Sequence, residues 1–362
     1  MRILDKYILT RIFSGYIFIL LVFAGLYFVI DVFSHLSDFL KAKVPLYILI
    51  NYYLYMLPLV FLRVSPFSLL ISTLYTFGEL NRNNEVISMR SSGLSIVRIA
   101  FPLIFFSLFV SSLAFFVQER ILITSQKKVE DIKMQYIKRR KAAPSEVRNL
   151  AFSSGNSIYF VRKFFPKQAT LEDATIFKDD GQGNIIEKAI CRNIVYELDR
   201  WKGKDVMVYE LDREGMIEGT PLHWTEKVLD LEEKPSELVY RKSIFVEFAS
   251  LKNLKREITR LKRIKALNVL SNLIIDYHHK LAEPLSHLFL IIGIFPLALE
   301  IKKRKVALSS LGVGFIVGFI YYCLDSFSIA LGKAGLILPP FASWLTPLFF
   351  IIAGIIGLIL IK

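Results

Sequence analysis

Catalytic signatures are missing from this chain. It has no G-x-x-x-x-G-K-[ST] loop, so if the protein uses ATP, another chain must bind it. H-E-x-x-H and G-x-S-x-G are absent, and no Ser-His-Asp arrangement is visible, which removes the common zinc-hydrolase and serine-hydrolase readings. Cysteine is scarce: Cys191 lies in a charged block and Cys323 in an apolar one, so no disulfide framework is implied. No small-x-small cleavage site follows the first apolar run, which reads as an uncleaved anchor. The net charge of +14 comes without a zinc finger, a helix-turn-helix or a basic-aromatic strand motif. Nucleic acid is therefore excluded as the partner, and anionic headgroups or phosphates account for the charge more simply.

What the chain has in abundance is apolar length. Of its 362 residues 54% are hydrophobic. They collect in blocks near both ends, as in an integral membrane protein with an inserted soluble domain. "IFSGYIFILLVFAGLYFVI" (12–30) contains no charge and is long enough to span a bilayer. Residues 44–78, with three prolines and Arg63, predict an interfacial lead-in followed by a second span. A third runs over 99–117, and three more over 281–299, 306–324 and 336–361. The expected fold is membrane α-helical, six transmembrane helices arranged 3+3, with an inserted periplasmic all-β jellyroll-like domain. The expected divisions are 1–118, 119–265 and 266–362.

An even span count puts both termini on one side. Arg2, Lys6, Arg11, "KKRK" (302–305) and Lys362 mark that side as cytoplasmic, and the insert is then extracytoplasmic. Within the insert, "NSIYFV", "ATIF", "NIIEKAI", "NIVYEL" and "DVMVYEL" are short β-rich segments separated by turn signals such as "DDGQGN" and "DREG". They predict a sandwich, a jelly roll or a partly open barrel. Alternation nominates Ile158, Phe160, Ile194, Tyr196 and Val208 for its interior, as a lipid path or equally as a closed core. After it, "SLKNLKREITRLKRI" puts Leu251, Leu254, Ile258 and Leu261 on one stripe, either lying on headgroups or packing as a connector.

Some segments invite a sharper reading. "GVGFIVG" (312–318) sits inside a span, where Ser310, Gly314 and Gly318 at four-residue spacing predict close helix packing. In "YHHKLAEPLSH" (277–287), His279, Glu283 and His287 share a helical face, but Pro284 interrupts a metal-site geometry. Asp325 is either an ionisable group at membrane depth or an interfacial one. Arg63, with Lys41 and Lys43 on the short outer loop, either binds a lipid phosphate or snorkels. "ELNRNNEVISMRSSGLS" (79–95) carries four charges, which would cost on the order of 10 kcal/mol at the bilayer centre, so it lies outside the membrane. Leu80, Ile87 and Leu94 recur every seven residues, Val86 sits beside Ile87, and Gly93 is a natural helix stop. The segment reads as an amphipathic helix over 79–93, either resting on headgroups or docking on a cytoplasmic motor.

The run "PFSLLISTLYTFGELNRNNEVISMRSSGLS" resembles the signature of the LptF/LptG lipopolysaccharide export permeases, and "LDKYI" is similar to that family's N-terminal pattern. "SLKNLKREITRLKR" followed by "YHHKLAEPLS" resembles its return into the fourth span. "GFIYYCLDSFSIALGKAGLILPPFASWLTP" is more similar to the LptG branch than to LptF. The resemblance implies a permease subunit in the inner membrane of a Gram-negative-type bacterium. Its expected partners are an LptF-like second permease, an LptB-like ATPase dimer that carries the ATP and Mg, an LptC/LptA-like periplasmic bridge, and lipopolysaccharide. It implies that Glu85 contacts the ATPase, and Arg82, Ile87, Met89 and Arg90 are its expected companions in coupling. For the lipid phosphates and cavity the candidates are Lys41, Lys43, Arg63 and Asp325. One departure stands out: where the LptG branch has lysines near the outer end of span one, this chain reads "IDVFSHLSDFLKAK". The rival reading is a membrane enzyme that modifies envelope lipid or glycan through His278, His279, Glu283 or Asp325. A third is a scaffold whose β-domain binds another envelope protein.

Overall fold

The computed structural model describes residues 3–137, 146–180, 185–197, 199–212, 217–231, 233–235, 238, 250–264, 267–300 and 306–360. Arg2, "KKRK" and Lys362, on which the orientation expected from charge rested, lie outside the described residues. The chain divides into two compact units: residues 1–137 with 274–362, and residues 138–273.

The first unit is helical. Its elements are α1 (Ile3–Ala42), α2 (Leu46–Arg82), the short α3 (Glu85–Ser91) and α4 (Ile96–Ile132), then α6 (Leu267–Glu300) from Ile274 on, α7 (Val306–Lys333) and α8 (Pro339–Leu360). Among the described residues, six helices are long and apolar enough to cross a membrane. Several far exceed the predicted spans, because hydropathy marks only their lipid-level middles. At 1.5 Å per residue, α1, α2 and α4 each extend for about 55–60 Å, against about 30 Å of hydrocarbon. Toward the ends remote from α3 they pack together around a second core of Phe39, Tyr52, Met56, Val60, Val64 and Val129. The charged stem after residue 118 is thus the end of α4, reached through a wide π-helical turn at Val117–Leu122.

Helix α2 is the hub. Its Leu69, Leu70, Ile71, Leu74 and Phe77 are almost fully buried among α1, α4, α6 and α7. The stripe Ser310, Gly314, Gly318 lies against it: a Cβ on Gly314 would meet Ile71 at 2.6 Å, and one on Gly318 would collide with the Phe67 ring. Small residues here let two backbones close up where lipid supplies no hydrophobic drive. Asn81 Nδ2 donates to the carbonyls of Ala298 (3.2 Å) and Leu299 (2.6 Å), satisfying end groups that the last turn of α6 leaves open.

The second unit holds, among its described residues, six antiparallel strands: β1 (Val147–Ser154), β2 (Ser157–Phe165), β3 (Thr170–Asp179), β4 (Ile185–Glu197), β5 (Arg200–Leu211) and β6 (Ile217–Leu229). Neighbours in sequence are neighbours in the sheet, so the jellyroll-like domain is built as a meander. Two rows of cross-strand partners form its buried face: Phe152, Tyr159, Ile176, Ala189 and Val208; and Leu150, Val161, Ala174, Cys191 and Val206. Trp201 is fully buried and donates its Nε1–H to the Glu233 carbonyl at 2.7 Å.

Helix α5 (Leu251–Ile264) follows the sheet. Its Leu254 and Ile258 are buried, so that part of the stripe packs against protein rather than lying open to headgroups.

Candidate functional site: a short helix, a charged cavity and an apolar groove

The polar run that interrupts the apolar sequence does not form one helix over 79–93. Helix α2 continues to Arg82, the chain breaks at Asn83–Asn84 with Asn84 left-handed (φ 59°), and α3 starts at Glu85. The break resets the helical phase. Leu80 and Val86 are buried, but Ile87 is 54% exposed, so the predicted stripe through Leu80 and Ile87 does not exist. Met89 packs against the core, while Arg82 and Arg90 are exposed. Glu85 turns toward α1: Tyr7 Oη donates to it at 2.6 Å and Asn83 Nδ2 at 3.3 Å, with Arg11 Nη1 at 3.7 Å. Arg11 also lies 3.8 Å from Glu79, which Arg82 approaches to 3.7 Å. On the far side of α3, Arg98 Nη2 meets both carboxylate oxygens of Asp5, at 2.8 and 2.9 Å. Ser95 caps α4 by accepting from the Arg98 backbone N–H.

Arg63 and Asp325 come together. With His279, Glu283, Ser286, Tyr321 and Tyr322 they line a cavity of about 170 Å³ between α2, α6 and α7. Asp325 accepts from His279 Nε2 at 3.0 Å. The π-helical turn of α4 aims Gln118 at Glu283 (3.4 Å) and sets Glu119 3.6 Å from Lys280. Ser286 Oγ is buried and has no hydrogen-bond partner among the described residues. About 22 Å of helix separates Arg63 from Gly78, so the cavity sits within the span toward the end remote from α3. His287, on the same helix as His279, points elsewhere. Its Nδ1–H donates to the Pro284 carbonyl (2.8 Å), so Nε2 accepts from Ser65 (2.8 Å) and Ser65 accepts from Tyr16 (2.6 Å). This chain pins α1, α2 and α6, and it takes His287 out of the shared face with His279 and Glu283. Among the described residues no group of three or more His, Cys, Asp or Glu could hold a metal ion.

Lys41 and Lys43 do not reach that cavity. Lys41 is exposed in the last turn of α1, and Lys43 is exposed in the turn that follows it. Next to them opens an apolar groove of about 500 Å³, walled by Val32, Leu36 and Leu40 of α1 and by Leu46, Ile50 and Leu54 of α2. Sequence reading missed this groove, although the "LY-LI-YYL" phase of 46–54 carries its second wall.

In the sheet, Ile194 and Val208 lie in the buried cluster and Tyr196 packs against it. Ile158 and Phe160 do not share that face. Their partners are Phe177 and Thr175, whereas the buried rows pass through Tyr159 and Val161. A one-residue shift of phase moves every side chain to the other face. The buried rows continue onto β6 as Leu222 and Trp224, which are about half exposed (49% and 50%).

The model of one protein family, described as the lipopolysaccharide export system permease LptF/LptG, matches residues 6–360. The chain belongs to that family. No individual curated protein matches it. As an LptF/LptG permease it is a multi-pass inner-membrane protein that serves lipopolysaccharide export, and a transporter subunit rather than an enzyme. The match spans both units and does not separate the two branches. Membership implies an Lpt complex, with another permease, an ATPase and bridge proteins.

Proposed function

We propose that the chain is one of two permeases in an ATP-driven exporter, with α3 toward a cytoplasmic ATPase dimer and the sheet unit in the periplasm. Both termini are then cytoplasmic. Lipopolysaccharide lodges acyl chains in the groove between α1 and α2. Lys41 and Lys43 at its rim meet the lipid phosphates, with Arg63 at greater depth. The groove with two lysines beside it is the observation that carries this reading: a long apolar slot next to fixed positive charge suits an acylated phosphate. Asp325 cannot attract a phosphate, and its tie to His279 suits a role in shaping the cavity. ATP and Mg sit on the partner. Nucleotide-driven closure of the motor moves α3, the spans rock, and the lipid is expelled toward the sheet unit and then a periplasmic bridge. Each CH₂ pulled out of the bilayer costs roughly 0.8 kcal/mol, so a continuous apolar path lowers the barrier. The half-exposed Leu222 and Trp224 offer such a surface where the buried face of the sheet runs out.

Photoreactive residues at Leu36, Ile50 and, as a control, the lipid-facing Phe109 test this in native membranes. Adducts to lipopolysaccharide at the first two and not at the third support the groove. Adducts at none of the three overturn it.

A further inference from the structure

Helix α1 carries two features that lie far apart. In its first turns, Asp5, Tyr7 and Arg11 engage both flanks of α3: Tyr7 and Arg11 hold Glu85, and Asp5 holds Arg98 at the start of α4. In its last turns, Val32, Leu36 and Leu40 form one wall of the apolar groove. One unbroken helix of 40 residues, without proline, joins them. From Tyr7 to Leu36 the axis runs about 44 Å.

We infer that α1 is the rod that transmits displacement of α3 to the groove, and that Asp5, Tyr7, Arg11 and Arg98 are the positioning residues that fasten the rod to α3. The inference rests on the export reading and adds the route within this chain. Three observations bear on it. The first is the quality of the ties. Tyr7–Glu85 is a short hydrogen bond to a carboxylate, and Asp5 is buried to 7% exposure under Arg98, where solvent screens the pair weakly. The second is their placement. They grip α3 from its N-terminal residue and from the segment just after it, so α3 cannot shift along the membrane face without dragging the first turns of α1. The third is the freedom of the rod. The most apolar stretch of α1 is not buried within the chain, while Tyr16 ties the helix to Ser65, so α1 moves by tilting about that tie rather than by sliding. The alternative route through α2 is obstructed twice. The α2–α3 junction is a break at Asn83–Asn84, and α2 is the buried hub that packs on four other helices.

Arg11 sits differently from the other three. Its Nη1 lies at ion-pair distance from Glu79 and Glu85 but makes no hydrogen bond among the described residues. It can follow Glu85 when that carboxylate turns toward an incoming partner, which lets docking and fastening coexist.

The test uses the complete complex purified with its ATPase and returned to vesicles that contain lipopolysaccharide. ATP hydrolysis and lipid release are measured in the same sample. The variants are Tyr7→Phe, Asp5→Asn, and the double exchange Asp5→Arg with Arg98→Asp. We expect lipid released per ATP hydrolysed to fall at least fivefold in Tyr7→Phe and in Asp5→Asn, with hydrolysis within twofold of wild type and ATPase retention unchanged. The double exchange recovers most of that loss. Release per ATP at the wild-type level in both single variants overturns the rod and leaves the export reading standing. Hydrolysis and release that fall in step also overturn it, since the ties then serve docking alone. Wild type that retains no ATPase and releases no lipid overturns the export reading, and the rod with it.

Discussion

Three buried groups in this chain titrate far from their usual range or make a contact that hydrophobic periodicity cannot announce. Burial pushes the Cys191 thiol up to about 12, and burial likewise raises Tyr159. At pH 8 on the order of one Cys191 in ten thousand is a thiolate. In the folded protein Cys191 should therefore resist a maleimide for hours and react within minutes after denaturation, as mass spectrometry of the labelled protein would show. The linkage has a definite sign. The unfolded chain releases this proton first, near pH 8.5, so Cys191 stabilises the sheet unit below that pH and its contribution declines as pH rises toward 12. Unfolding monitored between pH 7 and 10 should show stability falling with pH. His287 lies outside every predicted site except a metal face that the structure does not assemble, yet it closes the Tyr16–Ser65–His287 chain. His287→Ala leaves Ser65 with a buried donor that no longer has its acceptor and should cost about 1–3 kcal/mol. A lower melting temperature in detergent is the measurement, and Ser65→Ala together with Tyr16→Phe in the same background, which removes both stranded hydroxyls, should recover part of the loss.

The helices show how far pattern reaches. All six spans were legible, because a run of 18 or more apolar residues has few stable places to go except the interior of a bilayer. Their ends were not. Past residue 118, α4 turns polar on one side while Leu122 and Val129 stay buried against its neighbours, and no hydropathy window registers that. The segment 79–95 was legible as polar and helical, but the break was not, because Asn83–Asn84 looks like any polar pair until Asn84 adopts φ 59°. Strand phase failed for a related reason. Asp173 and Asp205 are left-handed (φ 51° and 57°), and alternation slips there, so Leu171 and Ala174 are both buried, as are Cys191 and Ile194. In "NSIYFV" the difficulty is different: both phases are apolar and Ile158 is itself buried, so alternation cannot choose between Ile158 with Phe160 and Tyr159 with Val161. Packing of α7 on α2 is tested by Gly318→Leu, which must push Phe67 aside and should cost about 1–3 kcal/mol as overpacking. The readout is a fall in thermal stability, with Gly312→Leu, whose Cβ meets nothing, as the silent control.

The division into a helical unit and a sheet unit carries the assignment, because a family match over residues 6–360 takes in both. Its charge distribution sets a further expectation. Replacing Lys41 and Lys43 together with Glu should reduce copurified lipopolysaccharide at least fivefold, without changing recovery of the ATPase. Measured by mass spectrometry of the same purified samples, an unchanged lipid yield would remove the lysines from the phosphate contact. The exposed apolar faces of α1 and α7 belong to candidate membrane spans, where lipid tails suffice to cover them.

The left-handed Asn84 has a consequence for how this chain tolerates length changes. Each residue added to a helix turns everything after it by about 100°. One residue inserted in α2 after Phe77 would swing Asn81 off the end of α6 and bring Glu85 round to the wrong side of Tyr7. One inserted between Ser92 and Ser95 falls between helices, so it turns no helix and disturbs only the Gly93 turn and the seat of Leu94. Two insertions at neighbouring junctions thus differ sharply: the first would throw the α2–α3 junction out of gear, and the second would be taken up locally at one turn.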